Sequence, residues 1–169
     1  MLDQGVGYLV LHSVTEASPR ELRNAVQELR TRGMNSLVLD LRRNPGGLIT
    51  QAMEIAELFL DANDTIAVTR GRTAASSHTY VARSNQAWPG MPLVLLVNRQ
   101  TASSAELIAA ALQDHDRALV LGSPTYGKGV IQTTFPLASE AAVKFTTSRW
   151  YAPSGRSIQR TAADSANPA

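Results

Sequence analysis

The chain has 169 residues, which suffices for one domain with a sizeable hydrophobic core. Its residues are 44% hydrophobic and 18% charged, as in ordinary globular proteins, and a net charge of +2 without a basic run argues against nucleic acid as a partner. The absence of cysteine excludes disulfides, zinc–thiolate sites and a cysteine nucleophile. No apolar stretch approaches the roughly 20 residues that span a bilayer, and no signal-peptide pattern precedes the first predicted strand.

The first half of the chain alternates predicted strands with predicted helices. A helix start is predicted at Ser18, because Ser18 and Glu21 have the spacing of a capping box and Pro19 suits the first helical position. Gly33 is a suitable C-terminal stop for that helix. The predicted elements of this half are a strand at 5–12, a helix starting at 18, a nearly continuous apolar strand at 36–41 and a helix at about 49–60.

The second half continues this alternation. Its predicted elements are strands at 65–70 and 78–82, a buried strand at 92–97, a helix near 104–113, a strand at 117–121 and a β pair at 130–135 and 143–150. The strand–helix–strand order predicts an α/β domain with parallel strands and crossover helices. We expect this domain to cover residues 1–160, and the composition of 161–169 predicts a disordered tail.

Ser103 lies where a predicted buried strand gives way to a predicted helix. A hydroxyl at such a position lies beside unpaired helix N–H groups and the positive end of the helix dipole, which can stabilise a developing oxyanion. This favours a nucleophile in a strand–turn–helix connection. The alternative is an ordinary helix cap, because Ser103 and Glu106 also have the spacing of a capping box.

Lys128 is one of only two lysines in the chain, and it lies between Gly127 and Gly129 at the start of a predicted strand. A lysine that acts as a base near neutral pH must be uncharged, which requires its pKa to fall from about 10.4 to about 7–8. Burial away from carboxylates causes such a fall, and no acidic residue occurs between Asp116 and Glu140. The alternative is a solvated loop lysine.

Two consecutive glycines, Gly46 and Gly47, follow the predicted strand at 36–41 and precede a predicted helix. Such a turn exposes backbone N–H groups without obstruction by side chains, which suits an oxyanion or a carboxylate. The alternative is an ordinary tight connection.

The three histidines are candidates for a serine–histidine–aspartate triad or for a metal site. None of His12, His78 and His115 has the spacing of metal ligands, and His115 suits a solvated helix end. Neither a metal nor another cofactor is therefore predicted.

Four segments resemble motifs of the carboxyl-terminal processing proteases, in the same order and with similar separations. They are Thr-Ala-Ser-Ser-Ala-Glu at 101–106, Thr-Tyr-Gly-Lys-Gly-Val-Ile-Gln at 125–132, Asp-Leu-Arg-Arg-Asn-Pro-Gly-Gly at 40–47 and Tyr-Ala-Pro-Ser-Gly-Arg-Ser-Ile-Gln at 151–159. The resemblance extends over about residues 5–160. It implies a serine endopeptidase that cleaves proteins in or near their C-terminal regions by acyl transfer.

The resemblance also implies roles for individual residues. Ser103 would be the nucleophile, Lys128 the general base of a serine–lysine dyad, and Gln132 the residue that orients the lysine.

The oxyanion hole implied by the resemblance consists of the backbone N–H groups of Gly47 and Ser104, with Gly46 as a further candidate donor. Ser104 follows the nucleophile where alanine is commoner in the family, which leaves open which of the two hydroxyls attacks. The register of the motif favours Ser103.

The fold implied by the resemblance is a superhelical α/β core similar to those of Clp protease and crotonase. Family members usually carry a PDZ domain before this core, so the chain is expected to be a fragment or a natural short form. The implied location is the periplasm, cell envelope or thylakoid lumen, the implied partners are protein or peptide substrates, and oligomers are compatible with this assignment. The competing hypothesis is a non-catalytic ligand-binding or scaffold module on the same fold.

Overall fold

The structure, a computed structural model, describes residues 2–137 and 141–161. Two four-stranded sheets and three α-helices make up this part of the chain. The helices are α1 (Ser18–Thr31), α2 (Ile49–Glu57) and α3 (Ser104–Asp114). The strands are β1 (Val6–Val10), β2 (Ser36–Asp40), β3 (Thr65–Gly71), β4 (His78–Val81), β5 (Leu93–Val97), β6 (Leu119–Gly122), β7 (Val130–Pro136) and β8 (Ala142–Tyr151).

The first sheet is parallel, with strand order β1-β2-β5-β6. Its central strands are rich in leucine and valine, and Leu37, Leu39 and Leu95 are fully or almost fully buried. Helix α3 is buried along nearly its whole length, from Ser104 to Leu112. A helix that is buried all round is a core element. The N-terminal end of α3, at Ser104, therefore has a fixed position.

The second sheet is antiparallel, with strand order β4-β3-β8-β7. Thr69 of β3 and Trp150 of β8 are cross-strand partners, and both are buried. Strands β7 and β8 form a long hairpin that pairs from Val130 opposite Arg149 to Pro136 opposite Ala142. Because β3 pairs with β8 only from Ser148 to Tyr151, the rest of this hairpin extends beyond β3.

The predicted α/β class with parallel strands is confirmed, and each predicted helix and strand is present within a few residues of its predicted bounds. The predicted capping box at Ser18 is wrong. The N-cap residue of α1 is Ala17, which makes no side-chain capping hydrogen bond, and the Ser18 hydroxyl donates to Ser13 O and accepts from Thr15 N. The predicted tail lies almost wholly outside the described residues. None of the helices in the described part is both long and apolar enough to cross a membrane.

Candidate active site

The turn between β5 and α3 is fixed to the turn that follows β2. Thr101 is fully buried, and its hydroxyl donates to Leu41 O at 2.8 Å. Ala102 N donates to Asn44 O at 2.9 Å. The fully buried side chain of Asn44 in turn accepts from Gly46 N at 2.8 Å. The two predicted site segments, 101–106 and 40–47, are therefore joined by hydrogen bonds.

Ser103 occupies a strained backbone conformation, with φ 57° and ψ −122°. A residue with a Cβ rarely adopts positive φ, and such strain costs on the order of 1–3 kcal/mol. A strained residue between a strand and a helix is the geometry that presents a nucleophilic hydroxyl. Ser103 is partly exposed, whereas Ser104 is fully buried. Of the two hydroxyls, only that of Ser103 is thus accessible to a large substrate.

The Ser104 hydroxyl is buried and has no hydrogen-bond partner among the described residues. An unsatisfied buried hydroxyl carries a desolvation cost without compensation. We therefore expect Ser104→Ala to raise the free energy of unfolding by about 1 kcal/mol, measured by urea denaturation.

A matched control is Ser18→Ala, because Ser18 is equally buried but its hydroxyl makes hydrogen bonds. This variant is expected to lose about 1 kcal/mol of stability. Destabilisation by Ser104→Ala comparable to that by Ser18→Ala would contradict the assignment of an unsatisfied hydroxyl.

Gly46 lies against the turn that carries Ser103, Gly47 lies against Val14, and neither has room for a side chain. Gly46 has φ 88°, and a Cβ added there would lie 2.7 Å from Ala102 O and 3.0 Å from Ser103 Cβ. Gly47 has φ 153°, and an added Cβ would lie 2.0 Å from Val14 O. The backbone on both sides of Gly47 is held by Val14, which donates to Gly46 O and accepts from Leu48 N.

Two backbone donors remain unused at this point. Among the residues that the structure describes, neither Gly47 N nor Ser104 N has a hydrogen-bond acceptor. Ser104 N is the first N–H of α3, so the helix itself offers it no acceptor. Free N–H groups beside a serine hydroxyl are what an oxyanion hole requires. Gly46 N, the third candidate donor, is already bonded to Asn44.

Glu106 is the residue that joins the serine turn to the lysine loop. Its buried carboxylate accepts four hydrogen bonds. Oε2 accepts from Ser103 N at 2.7 Å and from Lys128 N at 2.9 Å. Oε1 accepts from the Thr125 hydroxyl at 2.7 Å and from Gly127 N at 2.6 Å. The backbone nitrogens of Ser103 and Lys128 therefore cannot be farther apart than the sum of two hydrogen-bond lengths.

This role of Glu106 was not predicted from the sequence. Only a capping box of Ser103 with Glu106 was predicted as an alternative, and that box is present, with the Glu106 carboxylate accepting from Ser103 N. The available signal was a glutamate among apolar residues, since a carboxylate is almost never fully buried unless it is paired or well hydrogen-bonded.

The side chain of Lys128 is exposed, contrary to the expected burial. The cause lies in its neighbours, because Gly127 and Gly129 are buried beneath the chain at 159–160 and the lysine between them points the other way. No hydrogen bond or ion pair of its amine occurs within the described part of the chain. Gln132 is also exposed and is paired in register with Thr146, next to a bulge. Its predicted orienting role stays a prediction.

Glycine is required on both sides of Lys128 because the chain at 151–160, which includes the last of the four motifs, packs against these positions. Arg160 N donates to Gly127 O at 3.0 Å, and Gly129 N donates to the Gln159 side chain at 3.0 Å. An added Cβ would lie 2.4 Å from Arg160 Cβ at position 127 and 2.3 Å from Gln159 N at position 129. The segment therefore holds the lysine loop in place.

An ion pair between the exposed Arg42 and the buried Asp40 supports the base of the glycine turn. Arg42 donates from its backbone and from its guanidinium to Asp40, with a shortest distance of 2.6 Å, and the Tyr8 hydroxyl donates to the same carboxylate at 2.5 Å. The hydrogen bonds from the Arg42 side chain lower the pKa of Asp40 to about 2, against the opposing effect of burial. Asp40 therefore stays ionised at neutral pH and fixes the start of the turn.

The position of His115 does not fit a serine–histidine–aspartate triad with Ser103. His115 lies at the C-terminal end of α3, the end opposite Ser103, where its ring contacts Thr65 O at 2.7 Å.

Residues 5–165 match peptidase family S41. The chain is 37% identical to the carboxy-terminal-processing protease of Bartonella bacilliformis over 158 residues, which cover 91% of this chain and 36% of that protein. It is 35% identical to the carboxyl-terminal-processing protease of a Synechocystis species over 157 residues, which cover 93% of this chain and 36% of that one. The chain thus spans just over a third of the length of these curated relatives.

A solved structure gives the same result for the fold. The photosystem II D1 C-terminal processing protease matches with a TM-score of 0.83 and 34% identity, over 91% of this chain and 39% of that chain. The family resemblance inferred from the four motifs is confirmed by these matches. By sequence and by fold, this chain belongs to peptidase family S41.

Proposed function

We propose that the chain is the catalytic core of a serine endopeptidase in which Ser103 and Lys128 form the catalytic dyad. The observation that carries the proposal is the shared carboxylate oxygen of Glu106, which holds the backbone N–H groups of both residues. A helix cap at Ser103 requires no lysine beside it, and a solvated loop lysine requires no buried carboxylate beneath it. Holding a serine and a lysine on one buried atom has a clear use in proton transfer between them.

In the proposed reaction, neutral Lys128 takes the proton of the Ser103 hydroxyl while that oxygen attacks the scissile carbonyl carbon. The N–H groups of Gly47 and Ser104 stabilise the oxyanion of the tetrahedral intermediate. Lys128 then donates the proton to the leaving amine, and water attacks the acyl-enzyme by the same route. Gln132 is proposed to orient the lysine amine during these steps.

Lys128 is exposed, and an amine in contact with water favours its charged form. The mechanism therefore requires that water be excluded from this amine during the reaction. We propose that the bound polypeptide covers Lys128 and excludes water. Other parts of a full-length relative could add to this cover.

The wider context is proposed from the relatives. The substrates are proteins cleaved in or near their C-terminal regions, and a PDZ domain of the full-length protein delivers them by strand addition. The proposed location is the periplasm or cell envelope. The core is proposed to be residues 1–160, of the superhelical type similar to Clp protease and crotonase.

A fluorophosphonate probe tests the proposal, because it reacts covalently with activated serines. We expect labelling that mass spectrometry maps to Ser103 and that disappears in Lys128→Ala. Lys144→Ala, the change at the only other lysine, is the matched control and should label normally. Absence of labelling between about pH 6 and pH 10, a range that spans the charged and neutral forms of a lysine whose pKa is lowered to about 7–8, would overturn the proposal in favour of a binding or scaffold module.

Gly47→Ala is expected to lower kcat of peptide hydrolysis by about 10²-fold or more, which is the usual effect of losing one oxyanion donor. The reason is that an added Cβ would meet Val14 O at 2.0 Å and displace the N–H group. The control is Gly90→Ala, since Gly90 also has positive φ (70°) but an added Cβ there meets nothing within 4 Å. Equal effects of the two changes on kcat would contradict an oxyanion role for Gly47.

A further inference from the structure

Two arginines face each other across the second sheet without an anionic partner. Arg70 of β3 and Arg149 of β8 are direct cross-strand partners, and both are exposed. Like charges directly opposite each other destabilise an antiparallel pair. Arg70 is stacked over the Tyr151 ring at 4.5 Å, but neither arginine forms an ion pair with a described residue. An anion between the two guanidinium groups would remove this repulsion.

The described residues of this sheet and its loops offer no such anion, and Glu140, between β7 and β8 in the sequence, lies outside the described residues. The segments 65–105, 117–137 and 141–161, which include all strands of the second sheet, contain no aspartate or glutamate. The same segments place Arg70, Arg72, Lys144 and Arg149 on the sheet and its adjoining loop. The charged side chains in the described part of this sheet are therefore all positive, although the whole chain is close to neutral.

The arginines line a groove of about 720 Å³ that also has an apolar end. Arg70, Arg72 and Arg149 form its cationic part. Phe135 and Phe145 line its other part, with ring centroids 6.2 Å apart, and they are 44% and 58% exposed. Exposed aromatic rings beside unpaired cations suit a ligand that carries both carboxylates and apolar side chains.

The groove leads to the candidate active site. Arg149 is paired in register with Val130, two residues after Lys128. The next residue, Trp150, donates its N–H to Gly129 O at 2.7 Å. Strands β7 and β8 run from this point to the two phenylalanines, so an extended chain lying along them would have one end at the proposed dyad.

We propose that this groove binds an acidic, extended segment of the polypeptide substrate, remote from the scissile bond. Carboxylates of the segment bind Arg70, Arg72 and Arg149, and an apolar side chain contacts Phe135 and Phe145. The inference rests on the proposed function for the identity of the ligand as substrate. It adds a preference for acidic sequence that the dyad itself cannot supply.

The test measures binding without turnover, in the Ser103→Ala protein. The probe is a fluorescein-labelled peptide of about 12 residues, long enough at 3.3 Å per residue to follow the groove, in which glutamates alternate with leucine and phenylalanine. A second peptide has lysine in place of every glutamate. Fluorescence anisotropy should show at least about tenfold tighter binding of the glutamate peptide, equivalent to about 1.4 kcal/mol.

Variants then locate the binding. The double change Arg70→Gln and Arg149→Gln should weaken binding of the glutamate peptide by at least about tenfold. Arg23→Gln with Arg30→Gln makes the same change in charge on exposed positions of α1 and should alter binding less than about twofold. Phe145→Ser should weaken binding without removing the preference for glutamate over lysine.

Equal affinities for the two peptides would overturn the inference. So would equal losses of affinity for the glutamate peptide in the Arg70→Gln/Arg149→Gln and Arg23→Gln/Arg30→Gln variants. A third contradicting outcome is displacement of the labelled glutamate peptide by oligodeoxythymidine of equal charge as effectively as by the unlabelled peptide. The last would assign the groove to nucleic acid. Because this assay needs no reactive serine, its failure is separate from failure of fluorophosphonate labelling. Binding of the glutamate peptide, together with no fluorophosphonate labelling of Ser103 in the parent protein, would overturn the assignment of the ligand as substrate.

Discussion

Peptide hydrolysis is expected to fall by about 10⁴–10⁶-fold in kcat when Ser103 is replaced by alanine, and by a similar factor in Lys128→Arg. Arginine keeps the charge and approximate length of lysine, but it cannot lose a proton in a protein and so cannot act as the base. The measurement is the steady-state rate with a fluorogenic peptide, together with a urea titration that shows each variant to be folded.

Lys144→Arg is the matched control for Lys128→Arg, because it makes the same change at the exposed lysine of β8. This variant should keep the activity of the parent protein. Activity of Lys128→Arg within about tenfold of the parent would contradict a proton-transfer role, because a general base contributes at least about 10²-fold.

Glu106→Gln is the second change with a large expected effect. The amide retains one oxygen but places an NH₂ group against N–H or O–H donors, so at least one pair of the four hydrogen bonds is lost. We expect the free energy of unfolding to fall by about 3–5 kcal/mol, since these bonds are charge-assisted and buried. We also expect kcat to fall by about 10²-fold, because Ser103 and Lys128 lose their common anchor.

Glu57→Gln separates the two effects. Glu57 also accepts two backbone N–H groups on one oxygen, from Arg83 and Ser84, but it lies on α2 and makes no contact with the dyad. The Glu57→Gln variant should have a lower free energy of unfolding and an unchanged kcat. If Glu106→Gln were likewise destabilised but retained its kcat, Glu106 would be a structural residue only.

The parallel half of the fold follows from local pattern, whereas the antiparallel half depends on distant pairing. The runs at 36–41 and 92–97 are short, apolar and rich in leucine and valine, and such runs predict buried parallel strands. The pairing of β3 with β8 joins residues about 80 positions apart in the sequence, from Val68 with Tyr151 to Gly71 with Ser148. No local pattern specifies a partner at that distance, so the pairing of β3 with β8 was not predictable, whereas the pairs β3–β4 and β7–β8 join neighbouring strands.

In the candidate site, the choice of residues was predictable from the sequence, but the accessibility of their side chains was not. The family resemblance of the motifs, rather than any one local pattern, made Ser103, Lys128 and Gly47 the candidates. The structure joins the turns that carry them through hydrogen bonds between segments distant in the sequence. The accessibility of each side chain was not predictable. Lys128 is exposed because the two glycines beside it are covered by a segment 30 residues later, and Ser104 is buried because α3 lies inside the core.

The most direct test is the protonation state of Lys128 when substrate covers it. The chain has two lysines, so biosynthetic labelling with ¹³C at lysine Cε yields two NMR signals, which the Lys144→Arg variant assigns. With a non-cleavable peptide bound, the account predicts a neutral amine for Lys128 and an ammonium group for Lys144 at about pH 8.5, between the values for a tuned and an ordinary lysine. If Lys128 with peptide bound remained an ammonium group up to about pH 10, as an ordinary lysine does, proton abstraction from Ser103 by this amine would be contradicted.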